Sequence, residues 1–158
     1  MLSLTPISFK QTRPLMRLVF DDDFEVNENT PNPLDDLQKL ADRNFNDVRR
    51  EFVLNKEIGG LQFWAVKLDN LPIGFTITAQ QPFAMLCSFG INKKFRNMEV
   101  LTEWLGKVEG LFEDGIYCVP LWKENVRVIE FLKRNGFNVY TEEEGKIYLI
   151  NSVILHQA

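Results

Sequence analysis

Apolar residues at Leu2, Leu4, Ile7 and Phe9 predict a first strand over Leu2 to Phe9, with Pro6 marking an edge position or an interruption. Thr12 and Pro14 predict the opening of a short helix carrying Leu15, Leu18 and Val19, closed by Asp21-Asp22-Asp23, whose charge is unfavourable at a helix C-terminus. Asn32-Pro33, followed by Asp35 and Asp36, has the form of a helix start. The three- and four-residue spacing of Leu34, Leu37, Ala41, Phe45, Val48 and Phe52 continues that helix. After Gly59-Gly60, Leu61 to Leu68 and Ile73 to Ala79 read as two strands joined through Asp69-Asn70, a hairpin signal.

Phe83 to Ile91 is almost continuously apolar, the pattern of a strand covered on both faces in the middle of a sheet. The period then changes: Met98, Leu101, Leu105, Val108 and Phe112 predict one inward side of a helix of about four turns. Ile116 to Leu121 is a further buried strand. From Asn125 a helix follows with Val128, Ile129 and Leu132 inward, stopped at Asn135-Gly136. Phe137 to Tyr140 and Ile147 to Leu155 are two last strands around Glu144-Gly145. The order is β α α β β β α β α β β, an α/β (α+β) layout with a mixed sheet. The strands Phe83 to Ile91 and Ile116 to Leu121 should run parallel and side by side, because the residues between them include a full crossover helix.

The chain has 158 residues, 45% hydrophobic and 25% charged, which fits a single domain over 1–158 with one main core. Its net charge of -4 gives the whole molecule no pull toward nucleic acid or anionic lipid, so neither is expected as a partner. Cys87 and Cys118 both lie in apolar runs, which fits a reducing compartment and a cytoplasmic location. The start has no signal-peptide pattern, and no apolar run approaches the length of a membrane span. No metal is expected: the acidic run lacks the turn glycine and distal glutamate of a calcium loop, and His156 reads as an exposed tail residue.

Two segments make the layout more specific. Ile91-Asn92-Lys93-Lys94-Phe95-Arg96-Asn97-Met98-Glu99-Val100-Leu101 and Asn125 to Phe137, the latter an Asn, a helix and Gly-Phe, resemble motifs of the GNAT family of acyl-CoA-dependent N-acyltransferases. With the element order, the resemblance covers most of the chain. It implies a GNAT-like mixed sheet, a gap between the two parallel strands that admits acetyl-CoA, and Arg96, Asn97, Met98 and Asn125 as cofactor-binding residues. Helix starts suit phosphates because unpaired N–H groups and the positive dipole end face the ligand.

Three positions depart from the family pattern. Glu99 and Leu101 stand where the turn should carry glycine, and a carboxylate about 5 Å from a phosphate oxygen costs on the order of 3 kcal/mol at an effective dielectric near 20. Acetyl-CoA is therefore expected to bind weakly. Leu132 stands where the family often has a Tyr that protonates the departing thiolate, so no catalytic residue is assigned. Tyr117 and Tyr140 read as half-buried strand aromatics, and Cys87 and Ser88 have no neighbouring His to make a base.

The nearest resemblance is to GNAT-like proteins that short-tailed bacteriophages carry in their particles, through Val128 to Lys133 ahead of Asn135-Gly136 and the Gly145-Lys146 turn. Two functions follow. One is a non-catalytic structural or interaction component, a virion protein located in the host cytoplasm or in the particle, with other virion proteins as partners. The other is an acetyl-CoA-dependent N-acetyltransferase. Partner contacts are expected through Phe20 to Phe24 and Asn27 to Pro33, where aromatics and acids mix without helical or strand period.

Overall fold

The computed structural model describes residues 1–23 and 60–152. The helix expected over 32–52, the part from residue 24 onward of the stretch expected to meet a partner, the last residues of the final expected strand and His156 lie outside them. Within them are seven strands and three helices: β1 (Leu2–Ile7), α1 (Phe9–Asp23), β2 (Gln62–Leu68), β3 (Leu71–Ala79), β4 (Met85–Ile91), α2 (Met98–Glu109), β5 (Cys118–Trp122), α3 (Val126–Arg134), β6 (Asn138–Glu143) and β7 (Lys146–Ile150).

The strands form one mixed sheet in the order β1-β2-β3-β4-β5-β7-β6. Every neighbouring pair is antiparallel except β4 and β5, which run parallel as the crossover through α2 requires. Pro6 lies on edge strand β1 opposite Trp64, where its missing N–H costs no ladder bond to a second neighbour. The hairpin turns use left-handed residues, Asp69 and Asn70 at φ 50° and 70° and Glu144 and Gly145 at φ 50° and 84°. Such turns match the twist of the flanking strands.

Two clusters divide the core between the faces of the sheet. On one face Met16 and Val19 of α1 pack with Phe63, Phe75 and Ile77. On the other, Val100, Trp104, Leu105 and Val108 of α2 and Ile129 and Leu132 of α3 pack with Val66, Leu86, Val119 and Leu149. β4 thus serves both clusters, through Leu86 and Ile91 on one side and Cys87 on the other, as its apolar run predicts.

Several boundaries differ from the sequence expectation, for identifiable reasons. Phe9 does not extend β1; it begins α1, which starts three residues before Thr12. Ser8 and Gln11 form a reciprocal cap, the Gln11 N–H donating to Ser8 Oγ at 3.3 Å and the Ser8 N–H donating to Gln11 Oε1 at 2.8 Å. Pro14 is consequently inside the helix, and Asp21 to Asp23 form its last turn. Replacing Ser8 by Ala should cost about 1 kcal/mol, read by urea unfolding.

Phe83 lies outside β4 and is exposed, and β5 begins at Cys118 rather than Ile116. Met98 does not face inward on α2. It is 57% exposed, and Val100 and Trp104 take the inward line with Leu105 and Val108, while Phe112 is buried in the turn after the helix. The last hairpin spans Asn138–Glu143 and Lys146–Ile150 rather than Phe137 to Tyr140 and Ile147 to Leu155. Among the described residues, no helix is long and apolar enough to cross a membrane.

Candidate functional site

The parallel strands β4 and β5 share one register pair, Met85 with Cys118, reinforced by the Cys118 N–H donating to Ala84 O at 3.0 Å. Beyond it no residue of β4 pairs with β5, so the ladder opens toward the C-terminal ends of both strands. A β-bulge lies at the same place. Ile77 opposes Ser88 and Thr78 opposes Leu86, which makes Cys87 the extra residue on the β4 side. An extra residue sharpens local twist and bends a strand, and this one lies just past the last pair of the β4–β5 ladder. After the bulge, Phe89 packs against Trp104, ring centroids 5.0 Å apart, while Gly90 lies under α1. A Cβ at Gly90 would sit 2.7 Å from Val19 Cγ1, so only glycine allows that approach.

Where β4 ends, Asn92 opens one turn of 3-10 helix, Lys93–Phe95, and Asn97 caps α2. The Asn97 side chain accepts from the Val100 N–H at 2.9 Å. As the first two helical positions, Met98 and Glu99 have N–H groups with no carbonyl to meet inside the helix, so these two amides can receive an anion. Lys93, Lys94 and Arg96 give the turn its positive charge, and all three are exposed. Arg96 Nε donates to Ile91 O at 2.7 Å, folding that side chain back along the turn. Arg96, Asn97 and Met98 are therefore brought together at one helix start.

The two unexpected residues of this motif behave differently. Glu99 is exposed in the first turn, where its charge meets both the helix dipole and any bound anion. Leu101 packs against the core cluster shared by α2 and α3, which explains a leucine there without reference to a ligand.

The opposite side of the opening is built by the end of β5 and the start of α3. Trp122 is 56% exposed, with Lys146 Nζ 4.8 Å from its ring centroid, and Val126 is 55% exposed. Asn125 occupies the N-cap position, but its side chain makes no capping bond. Among the described residues no hydrogen bond or ion pair joins it to the turn that carries Arg96, Asn97 and Met98.

Candidate proton carriers are mostly occupied elsewhere. Tyr117 is 1% exposed, stacked on Phe112 at 4.6 Å and edge-on to Phe137, and burial drives its phenol well above its ordinary pKa. Burial likewise pushes the Cys118 thiol up to about 11. Leu132 is fully buried in the core, and Tyr140 is exposed on edge strand β6. Tyr148 on β7, opposite Pro120 of β5, is the half-buried phenol that sequence reasoning passed over, because alternation within a short strand gives no sign of which neighbour it will face. Desolvation, then the charges of Glu143, Cys118 and Glu144, keep it protonated above its ordinary pKa.

Among the described residues, no group of three or more His, Cys, Asp or Glu side chains could hold a metal ion. Shallow depressions lined by Gln80, Ala84, Glu113 and Asp114, and by Met1 to Leu4 with Gly106, Lys107, Gly110 and Leu111, lie away from the α2 and α3 starts.

No protein-family model and no curated protein matches the chain significantly. Solved structures do. The PaiA N-acetyltransferase from Thermoplasma acidophilum in complex with coenzyme A aligns with a TM-score of 0.62 at 12% identity, over 96% of this chain and 99% of that one. An acetyltransferase from Thermus thermophilus aligns with a TM-score of 0.62 at 16% identity, over 94% of each chain. RimL, a ribosomal-protein alpha-N-acetyltransferase in complex with coenzyme A, aligns with a TM-score of 0.61 at 13% identity, over 94% of this chain and 92% of that one. At such identities the likeness is one of fold, and the fold is that of the GNAT acetyltransferases.

Proposed function

With the GNAT fold as premise, we propose that the chain retains a degenerate acyl-CoA site between β4 and β5 and works as a non-catalytic structural or interaction protein. The observation that carries this reading is the fate of the proton donors. The position that the family resemblance gives to a tyrosine is Leu132, wholly inside the core, and Tyr117 and Cys118 are also buried. A departing thiolate would find none of these three able to serve it. The Met98 and Glu99 amides, with Arg96, Lys93 and Lys94, remain suited to a diphosphate, which supports weak binding of acetyl-CoA without transfer.

Calorimetry with acetyl-CoA tests the reading. Affinity weaker than about 0.1 mM is expected, with little thermal stabilisation, since a ligand near its dissociation constant adds only RT ln 2. Low-micromolar affinity would overturn it. Because Glu99 is exposed, solvent screening reduces its repulsion of a phosphate toward about 1 kcal/mol. Glu99→Gln should therefore tighten coenzyme A by roughly fivefold, read by the same titration. It should also remove about 0.3–1 kcal/mol of favourable charge from the α2 start.

The finer reading is a component of a bacteriophage particle, held there by protein partners. Its support is the sequence resemblance through Val128 to Lys133, Asn135-Gly136 and Gly145-Lys146. Deleting residues 20–29 tests it. Loss of complex or particle association with the fold retained is the expected result. Loss of acetyl-CoA binding instead, with association intact, would mean that the segment serves a small-molecule site.

The second reading, an acetyl-CoA-dependent N-acetyltransferase, is favoured by the likeness to acetyltransferases over nearly the whole chain. It would need a proton donor, and Tyr148, beside β5 and held protonated, is the residue to test.

A further inference from the structure

Asn92 is 3% exposed at the point where β4 leaves the sheet, and its four hydrogen-bonding groups are all engaged. Its backbone N–H donates to Ile73 O at 2.7 Å, and its carbonyl accepts from the Phe95 N–H at 2.9 Å. Its side-chain Oδ1 accepts from the Lys94 N–H at 3.0 Å, and its Nδ2 donates to Leu18 O of α1 at 3.0 Å. One partner can only donate and the other can only accept, so a single orientation of the amide satisfies both. Aspartate would keep the bond from Lys94 but set a carboxylate against the Leu18 carbonyl. Leucine would leave the Lys94 N–H and the Leu18 oxygen without Asn92 as a partner. Asparagine alone among residues of this size joins a β-strand end, a turn and a helix 74 positions away.

The turn so held determines where the anion-receiving groups point. Phe95 and Lys94 are bonded to Asn92, Arg96 is bonded to Ile91 immediately before it, and α2 begins two residues later with the Met98 and Glu99 amides. We infer that Asn92 is a positioning residue, which ties this turn to α1 and thereby fixes the direction in which Arg96 and the α2 amides meet a diphosphate-bearing ligand. The identity of that ligand rests on the proposed acyl-CoA reading, whereas the role of Asn92 rests on its own hydrogen bonds.

The test uses the full chain with Asn92→Ala, which loses both side-chain bonds, and Asn92→Ser, whose hydroxyl can still accept from Lys94 but is too short to reach Leu18. Coenzyme A and inorganic pyrophosphate are titrated at a temperature where circular dichroism shows each variant folded, and exchange of the Lys94 amide is followed in parallel. Asn92→Ala should weaken both ligands by roughly tenfold, with Asn92→Ser between it and the unaltered chain. A residue that merely stabilised the fold would lower the melting temperature and leave the affinity of the folded protein unchanged. That result, with Lys94 exchange also unchanged, overturns the inference. If the unaltered chain binds neither ligand, the acyl-CoA reading fails separately. Lys94 exchange then decides the role of Asn92: the order Ala faster than Ser faster than Asn sustains it, and equal rates overturn it. Should Asn92→Ala fail to fold, Asn92→Ser carries the same comparison.

Discussion

Replacing Trp104 by alanine should destabilise the fold by about 3–5 kcal/mol, the range for removing a large aromatic from a packed core. Trp104 is 2% exposed on α2, lies 5.0 Å from Phe89 between ring centroids, and donates from Nε1 to Thr76 Oγ1 at 3.0 Å in a buried bond. Truncation therefore leaves a cavity against β4 and removes the donor that Thr76, itself 0% exposed, receives. Trp104→Phe keeps most of the packing and loses that bond, so about 1–2 kcal/mol is expected. For a domain of marginal stability, on the order of 5–15 kcal/mol, the alanine change removes a large share of the total. Urea unfolding of both variants measures the difference. A loss below about 1 kcal/mol for alanine would mean that Trp104 does not hold α2 to the sheet.

Acetyl transfer from acetyl-CoA to amines should be slower by about 10²- to 10⁴-fold than with a working acid in place, the usual contribution of a positioned proton donor. Leu132 has no proton to give, and the Tyr117 phenol and Cys118 thiol are enclosed in the core, where a departing thiolate does not reach them. Glu99→Gln should improve binding without restoring turnover, because it changes the affinity for the diphosphate and not the acid. Thiol release measured over a panel of amines checks this. Ordinary enzyme rates would overturn the non-catalytic reading. Loss of those rates in Tyr148→Phe would then assign the acid to β7.

The site's two sides were unequally legible before the structure. The α2 start is contiguous in sequence: Arg96, Asn97 and Met98 follow β4 directly, so a motif of adjacent residues could be read as one place. Asn125 follows β5, and its distance from that turn depends on how far β4 and β5 separate. The β4–β5 ladder ends beside the bulge at Cys87, a feature that ordinary apolar alternation does not encode. The reciprocal cap of Ser8 and Gln11 was legible as a four-residue pattern, and reading Thr12 and Pro14 as the helix start obscured it.

By itself the sequence determined the local structure: the left-handed turns at Asp69-Asn70 and Glu144-Gly145, the strand and helix order of the described residues, and the parallel course of β4 and β5. These depend on backbone preferences, hydrophobic period and chain reach, all of which act between near neighbours. Only the tertiary structure decided that Met98 faces solvent while Trp104 faces Thr76, and that Asn92 ties α1 to the anion-receiving turn. Each depends on which surfaces meet across the sheet, and a helical period allows several inward lines until packing selects one. A hydrogen bond between Asn92 and Leu18 has no local signal, since it exists only when the β4 end and the α1 end arrive at the same place.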